Sequence, residues 1–270
     1  IPACAKYIVV KFVGSPEPYM RERLRDPSII GYSTAMKVGQ ACMQAYGLWV
    51  GSRPSFQQDG VKAGDYMYGF TTWEAYTVQP YRVPDPEGAF PWAKYVGCLG
   101  TPGLTAFIGL ERVAGTKPGQ TIYVSSGASG MGSMVIQLCE NKGLTVIASA
   151  GTDAKANYLL SLDADVAFNY KTAPVAAVLQ EHRPIVLFWE NVGGAQLEAA
   201  LDSPLCCGAI AEYNIPADER YRVKNTSTVF HRRIRLEGFV VADTPEYNAR
   251  FFSEIPPLIA GGKIKAQEQL

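Results

Sequence analysis

The residues Gly127-Ala128-Ser129-Gly130-Met131-Gly132 carry the sharpest chemical signal in the chain. A β-branched run, Thr121 to Ser125, precedes them, and a helical stretch, Ser133 to Lys142, follows at once. A strand, a tight glycine turn and a helix N-terminus together make an anion site. Backbone N–H groups point outward there, and the helix dipole favours a pyrophosphate. Glycines let the backbone approach such a ligand without a Cβ in the way. The strand before and the helix after are the context a dinucleotide-binding turn requires. Gly127, Ser129, Gly130, Met131 and Gly132 are therefore candidate cofactor-binding residues.

The second strand of such a unit decides which dinucleotide binds. An NAD site places Asp or Glu at its end, to hold the ribose 2′-hydroxyl. Here that end reads Ala148-Ser149-Ala150-Gly151-Thr152, with no carboxylate until Asp153. A missing acid leaves room for a 2′-phosphate, and Lys155 supplies a positive charge nearby.

Two sets of elements must position these residues. The first ninety or so residues read as β-rich. Strands are expected in Lys6 to Val13, in Tyr66 to Phe70 after the turn Gly64-Asp65, and from Trp73 to Val78. Prolines 80, 84, 86 and 91 then mark a boundary. Beyond it, strands and helices alternate. Strands are expected at Thr121–Ser125, Thr145–Ala148, Val166–Phe168, Ile185–Trp189 and Leu205–Ala211. Helices are expected at Ser133–Lys142, Ala154–Leu162, Val175–Glu181 and Gln196–Leu201. Such alternation implies a parallel sheet covered by helices on both faces. The unbroken apolar run Ile185-Val186-Leu187-Phe188-Trp189 is what a doubly buried parallel strand looks like. A last strand, Leu236 to Val241, precedes a helix from Pro245 towards Ile259, interrupted by Pro256-Pro257. The expected domains are 1–97, β-rich; 98–243, dinucleotide-binding; and 244–270, a segment returning to the first.

Composition narrows the function classes. Of 270 residues, 47% are apolar and 19% charged, as in an ordinary globular protein. Lysine plus arginine equals aspartate plus glutamate, 25 against 25, so bulk charge recruits neither nucleic acid nor an anionic membrane. No apolar run approaches the ~20 residues needed to span a bilayer, and no secretory signal is visible. Six scattered cysteines, Cys4, Cys42, Cys98, Cys139, Cys206 and Cys207, read as free thiols in a reducing, cytoplasmic compartment. With two histidines, His182 and His231, and no Cys-x-x-Cys, the chain offers no convincing zinc ligand set. The missing initiator Met suggests a start further upstream.

Several stretches together resemble one family. They are Pro18-Tyr19-Met20-Arg21, Gly64-Asp65 with Trp73-Glu74-Ala75-Tyr76, Pro102-Gly103-Leu104-Thr105-Ala106, the glycine loop, Asn169-Tyr170-Lys171, Glu190-Asn191-Val192-Gly193-Gly194, and Gly208-Ala209-Ile210 with Tyr213-Asn214. In order, from about Tyr7 to Lys265, they look like the zinc-free medium-chain reductases that act on alkenal and enone double bonds. That group includes the plant alkenal double-bond reductases and the animal prostaglandin (leukotriene) reductases. The resemblance implies an α/β fold: a Rossmann-type doubly wound parallel sheet plus a β-rich GroES-like substrate domain, here apparently truncated at both ends. It implies NADP(H) as cofactor, held at the 2′-phosphate by Lys155 and Tyr170. Asn191 falls on the ribose and nicotinamide side, Tyr213 beside nicotinamide and substrate, and Phe239 to Val241 along the nicotinamide. Tyr19 matches a substrate-pocket tyrosine, and Tyr32 is a looser second; Tyr213, Tyr19 and Tyr32 are the candidate catalytic residues. A homodimer is a family-level expectation.

The implied reaction is hydride transfer to the β-carbon of an enal or enone, with negative charge developing on the carbonyl oxygen. A tyrosine or ribose hydroxyl is then the hydrogen-bond donor. Quinone reduction on the same fold, and a non-catalytic NADP(H)-binding relative, are the alternatives. Four departures bear on them. The glycine turn is either one residue short of the family's Gly-Ala-Val-Gly ending, or has Ser129 in its first glycine position. The opening strands are absent, and the chain stops soon after Gly262-Lys263-Ile264-Lys265. Finally, Asp163 stands where the family has a glycine; Asp adopts the left-handed conformation less readily.

Overall fold

A computed structural model describes residues 8–14, 28, 45–51, 66–71, 76–78, 90–202, 223–241 and 244–266, with the backbone alone for the four strands before residue 80. The chain divides into two compact units, Ile1–Thr101 with Glu268–Leu270, and Pro102–Gln267.

In the first unit, β1 (Ile8–Gly14), β2 (Ala45–Gly51), β3 (Tyr66–Thr71) and β4 (Tyr76–Val78) form an antiparallel sheet in the order β3-β2-β1-β4. β1 pairs with β2 from Val9↔Gly51 to Gly14↔Gly47, with a register shift between Lys11 and Val13. β2 runs against β3 in unbroken register from Ala45↔Thr71 to Val50↔Tyr66. The strand expected from Trp73 is described only over Tyr76–Val78. A short helix follows, α1 (Trp92–Val96), behind the last of the clustered prolines.

The second unit opens with a helix not anticipated from sequence, α2 (Thr101–Ile108). It widens into a π turn at Gly109–Ala114 and stops at Gly115, whose φ is 56°. The alternation then runs as expected: β5 (Thr121–Val124), α3 (Gly130–Asn141), β6 (Thr145–Ala150), α4 (Asp153–Ser161), β7 (Val166–Asn169), α5 (Val175–Glu181), β8 (Ile185–Trp189) and α6 (Gly194–Asp202). All four strands are parallel, in the order β7-β6-β5-β8. The apolar runs of β5 and β6 are buried on both faces: Ile122, Tyr123, Val124, Val146, Ile147 and Ala148 are fully inaccessible. The Tyr123 ring stacks on Phe188 at 4.8 Å between centroids. Such a pair contributes about 0.5–1.5 kcal/mol beyond burial. Its hydroxyl enters the core only because it is satisfied, lying 2.8 Å from Gln196 Oε1 and 2.9 Å from Ser149 Oγ.

Beyond α2, the second unit departs from expectation in three more places. Residues 236–240 are irregular rather than a strand, and among the described residues no strand pairs with them. Val240 and Leu236 are 42% exposed, so the alternating pattern buries no continuous apolar face here. A short helix, α7 (Ser227–His231), was not foreseen. The prolines do not interrupt the last helix. A 3-10 turn at Pro245–Tyr247 leads into α8 (Asn248–Ala260), which runs through Pro256 and Pro257. Both fall in its last two turns, and the buried Phe251 and Ile255 anchor the helix just before them. The strand expected at Leu205–Ala211 lies outside the described residues.

Residues 244–266, within the segment 244–270 that sequence reads as returning to the first domain, group with the second unit. Buried Gln137 holds their end: its Nε2 donates to Lys265 O at 2.9 Å, and its Oε1 accepts from Lys265 N. Asp163 is left-handed, with φ of 69°, and its carboxylate lies 2.8 Å from Lys265 Nζ. Among the described residues, no helix is long and apolar enough to cross a membrane.

Candidate functional site

The strand order puts β5 and β8 side by side, with α3 leaving one and α6 the other. In open α/β sheets, ligands bind outside the carboxyl ends of the strands at such a switch point. Three turns of the second unit end there or beside it.

The first is the glycine turn. Ser126 bends the chain with φ of 49°, and Gly127 N donates to Ser149 O at 2.9 Å, tying the turn to the end of β6. Ser129 is the N-cap of α3, extended at φ −76° and ψ 163°; its hydroxyl accepts from Gly132 N at 3.0 Å. A Cβ on Gly132 would lie 2.5 Å from Ser126 O and 2.8 Å from Gly127 Cα. Only glycine lets α3 sit this close to the strand. A Cβ on Gly127 would press on Ile136, Leu159 and Ala148 at 3.0–3.2 Å. Gly127, Ser129 and Gly132 thus stand at the three spacings of a G-x-G-x-x-G turn. The turn has full length, and Ser129 fills a glycine position whose backbone here needs no glycine. The first two helical residues, Gly130 and Met131, have N–H groups with no partner inside the helix. Such N–H groups at the positive end of the dipole suit an anion.

The second turn joins β6 to α4. Thr152 caps α4 by accepting from Lys155 N at 3.3 Å. Tyr170 N donates to Ala150 O at 3.1 Å, carrying Tyr170 from the end of β7 to this turn. Its ring lies over Gly151: a Cβ there would be 3.3 Å from the Tyr170 hydroxyl. Lys155 is exposed, and its ammonium has no carboxylate partner among the described residues. The fold therefore brings Lys155 and Tyr170 to one turn from positions fifteen residues apart.

The third turn follows β8. Asn191 is buried; its N–H donates to Ser125 Oγ at 2.8 Å and its Nδ2 to Ser125 O at 2.7 Å. Its Oδ1 accepts from the indole N–H of Trp189 at 3.2 Å. Ser125 Oγ in turn donates to Glu190 Oε1 at 2.8 Å, which also accepts from Gly193 N at 2.9 Å and from Val192 N. The other carboxyl oxygen of Glu190 is buried without a hydrogen-bond partner. Burial raises the Glu190 pKa, against the backbone N–H groups of Gly193 and Val192 and the Ser125 hydroxyl, which lower it. Trp189 itself is held between Gly109, where any Cβ would lie 2.3 Å from its ring, and the edge of Phe239 at 6.4 Å.

Of the predicted site residues, the structure gathers Gly127, Ser129, Gly130, Met131 and Gly132 in one turn, Lys155 and Tyr170 at the next, and Asn191 at the third. Phe239 touches the third turn through Trp189. Val241 closes a turn by accepting from Thr244 N at 3.2 Å. Tyr19, Tyr32 and Tyr213 lie outside the described residues. Sequence reasoning missed Ser125, Gly151, Asn169 and Glu190 as site-shaping residues. The signal for Glu190 was present: an acid closing an apolar strand run must find donors.

A family model described as zinc-binding dehydrogenase matches residues 130–255. A zinc-type alcohol dehydrogenase-like protein of Schizosaccharomyces pombe is 34% identical over 269 residues, covering 93% of this chain and 75% of its own. A Nicotiana tabacum protein named 2-alkenal reductase (NADP(+)-dependent) is 32% identical, over 98% of this chain and 79% of its own. Among solved structures, CurA of Vibrio vulnificus in complex with NADPH superposes with a TM-score of 0.84 at 24% identity, covering 97% of this chain and 81% of that one, a likeness of fold. Among the described residues, no group of three or more His, Cys, Asp or Glu could hold a metal ion.

Proposed function

We propose that this chain, which belongs to the zinc-binding dehydrogenase family, is an NADP(H)-dependent reductase of the C=C bond in α,β-unsaturated aldehydes and ketones. One observation carries the cofactor half: a full-length glycine turn with the N–H groups of Gly130 and Met131 free of helical partners, beside a second turn that brings Tyr170 and a Lys155 cation with no ion-pair partner among the described residues. The first turn suits a pyrophosphate. The second suits a 2′-phosphate, since Lys155 has no ion-pair partner among the described residues and Gly151 opens the backbone beneath the tyrosine. The tobacco relative, named for an NADP(+)-dependent 2-alkenal reductase, supports the substrate half.

When bound, the cofactor supplies a hydride to the β-carbon of the substrate. The residues of this chain do the rest. Gly127 and Gly132 keep side chains out of the cradle, and Ser129 fixes the start of α3. Ser125, Asn191 and Glu190 hold the ends of β5 and β8 in one geometry, with Asn191, Phe239 and Val241 on the ribose and nicotinamide side. Tyr213, with Tyr19 and Tyr32, donates to the carbonyl oxygen where charge develops and protonates the neighbouring carbon. A homodimer belongs to the same reading.

Calorimetric titration with NADPH and NADH, beside NADPH oxidation with an alkenal, an enone and a quinone, tests both halves. The expected result is NADPH binding with turnover of the alkenal and the enone. No NADPH binding overturns the cofactor half; turnover of the quinone alone overturns the substrate half. Lys155→Ala should weaken NADPH by about tenfold to a hundredfold while barely affecting NADH, the range of one lost charge-assisted bond. Equal losses for both would remove Lys155 from the 2′-phosphate.

A further inference from the structure

The turn between β6 and α4 contains one acid, Asp153, and what that acid does decides which ribose the turn accepts. Asp153 is the first residue of α4. Its Oδ1 accepts from Asn169 Nδ2 at 2.8 Å. Asn169 closes β7 and pairs in register with Ala150, the last residue of β6. The carboxylate is thereby tied to the end of β7.

The orientation of the Asn169 amide is fixed by a second bond. Its Oδ1 accepts from Lys171 N at 3.1 Å, closing a turn in which the Asn169 carbonyl also accepts from Ala173 N at 2.9 Å. Reversing the amide would set its oxygen against the Asp153 carboxylate and its NH2 against the Lys171 N–H. Both contacts are repulsive, so the NH2 faces Asp153. The same turn carries Tyr170 onto Gly151.

A free acid at the end of this strand binds a ribose 2′-hydroxyl, and so favours NAD(H). The same acid beside a 2′-phosphate repels it and competes for Lys155. For charges about 6 Å apart at a solvated surface, the repulsion is on the order of a tenfold loss of affinity. We propose that Asn169 is a specificity-determining residue: by tethering Asp153 it withholds the carboxylate of the β6–α4 turn from the ribose and leaves Lys155 to the 2′-phosphate. The inference rests on the reading that this turn holds NADP(H).

The test is a double-mutant cycle on the whole chain, with NADPH and NADH affinities measured by calorimetry. Asn169→Ser is the first arm: its hydroxyl still serves the Lys171 turn but is too short to reach Asp153. Expected is a roughly tenfold fall in the preference for NADPH over NADH, with NADPH weakened and NADH strengthened. Asp153→Ala alone should keep or raise the preference. The double variant should regain it, because no acid is left to release. If Asn169→Ser leaves the preference unchanged, or the double variant keeps its defect, the inference fails while the cofactor reading stands. A wild type that does not prefer NADPH overturns both. Should Asn169→Ser melt below the assay temperature, Asn169→Asp takes its place, since it keeps the Lys171 acceptor and repels Asp153.

Discussion

At the scale of the residue, the site depends on contacts too close for substitution. Gly132→Ala places a Cβ against the Ser126 carbonyl, a backbone atom that cannot turn aside. A loss of about 2 kcal/mol in thermal unfolding is expected, with NADPH affinity reduced more than tenfold by calorimetry. Glu190 makes a prediction about pH. Its folded pKa lies above the ordinary 4.5 because burial disfavours the charge. Its contribution to stability is therefore full below about pH 4.5 and is lost as pH rises through the folded pKa. Glu190→Gln keeps the acceptor for Ser125, Val192 and Gly193 but cannot ionise. Its melting temperature should gain on the wild type as pH rises from 4.5 towards 8 and stay level with it below; a constant difference would contradict the assignment. Residue type alone made Gly127, Gly132 and Lys155 legible in the sequence. It could not reveal that Ser125 would meet Glu190 and Asn191 across more than sixty residues, because no local pattern encodes such a meeting.

At the scale of the element, the parallel sheet is written in periodicity, while its attachments are not. β5, β6 and β8 could be read from apolar runs because doubly buried strands tolerate little else. Residues 236–241 show the limit: alternation looks the same whether or not a partner strand lies alongside. The prolines of α8 show another. Each removes one N–H from the ladder, yet the helix persists because Phe251 and Ile255 hold it to the core and Arg250 bridges Glu111 and Glu254. The segment after α8 depends instead on Gln137. Gln137→Ala removes both side-chain partners of the Lys265 backbone, two hydrogen bonds together worth about 1–3 kcal/mol. Hydrogen exchange at residues 261–266 should quicken, with that of β5 and β6 unchanged; uniform quickening would mean that the end segment and the sheet open together.

At the scale of the whole molecule, two units carry different shares of the work. The three turns of the proposed cofactor site all belong to the unit Pro102–Gln267, so ligand binding there should stabilise that unit directly. At NADPH one hundred times its dissociation constant, the gain is about 2.7 kcal/mol. Exchange should slow at residues 127–132, 151–155 and 189–193; protection elsewhere but not there would move the site. The division into a β-rich and an alternating part was legible because composition changes after the clustered prolines. The placement of residues 244–266 was not, because its buried anchors, Phe251, Ile255 and Ile264, look like any other apolar residues. Trp189 has a consequence of an optical kind. Its indole is 1% exposed and hydrogen-bonded to the third cofactor turn, so it emits as a buried tryptophan, in a region where reduced nicotinamide absorbs. Arrival of the cofactor then dims the protein's own light, and the part of the dimming lost in Trp189→Phe measures how near the nicotinamide comes to Asn191.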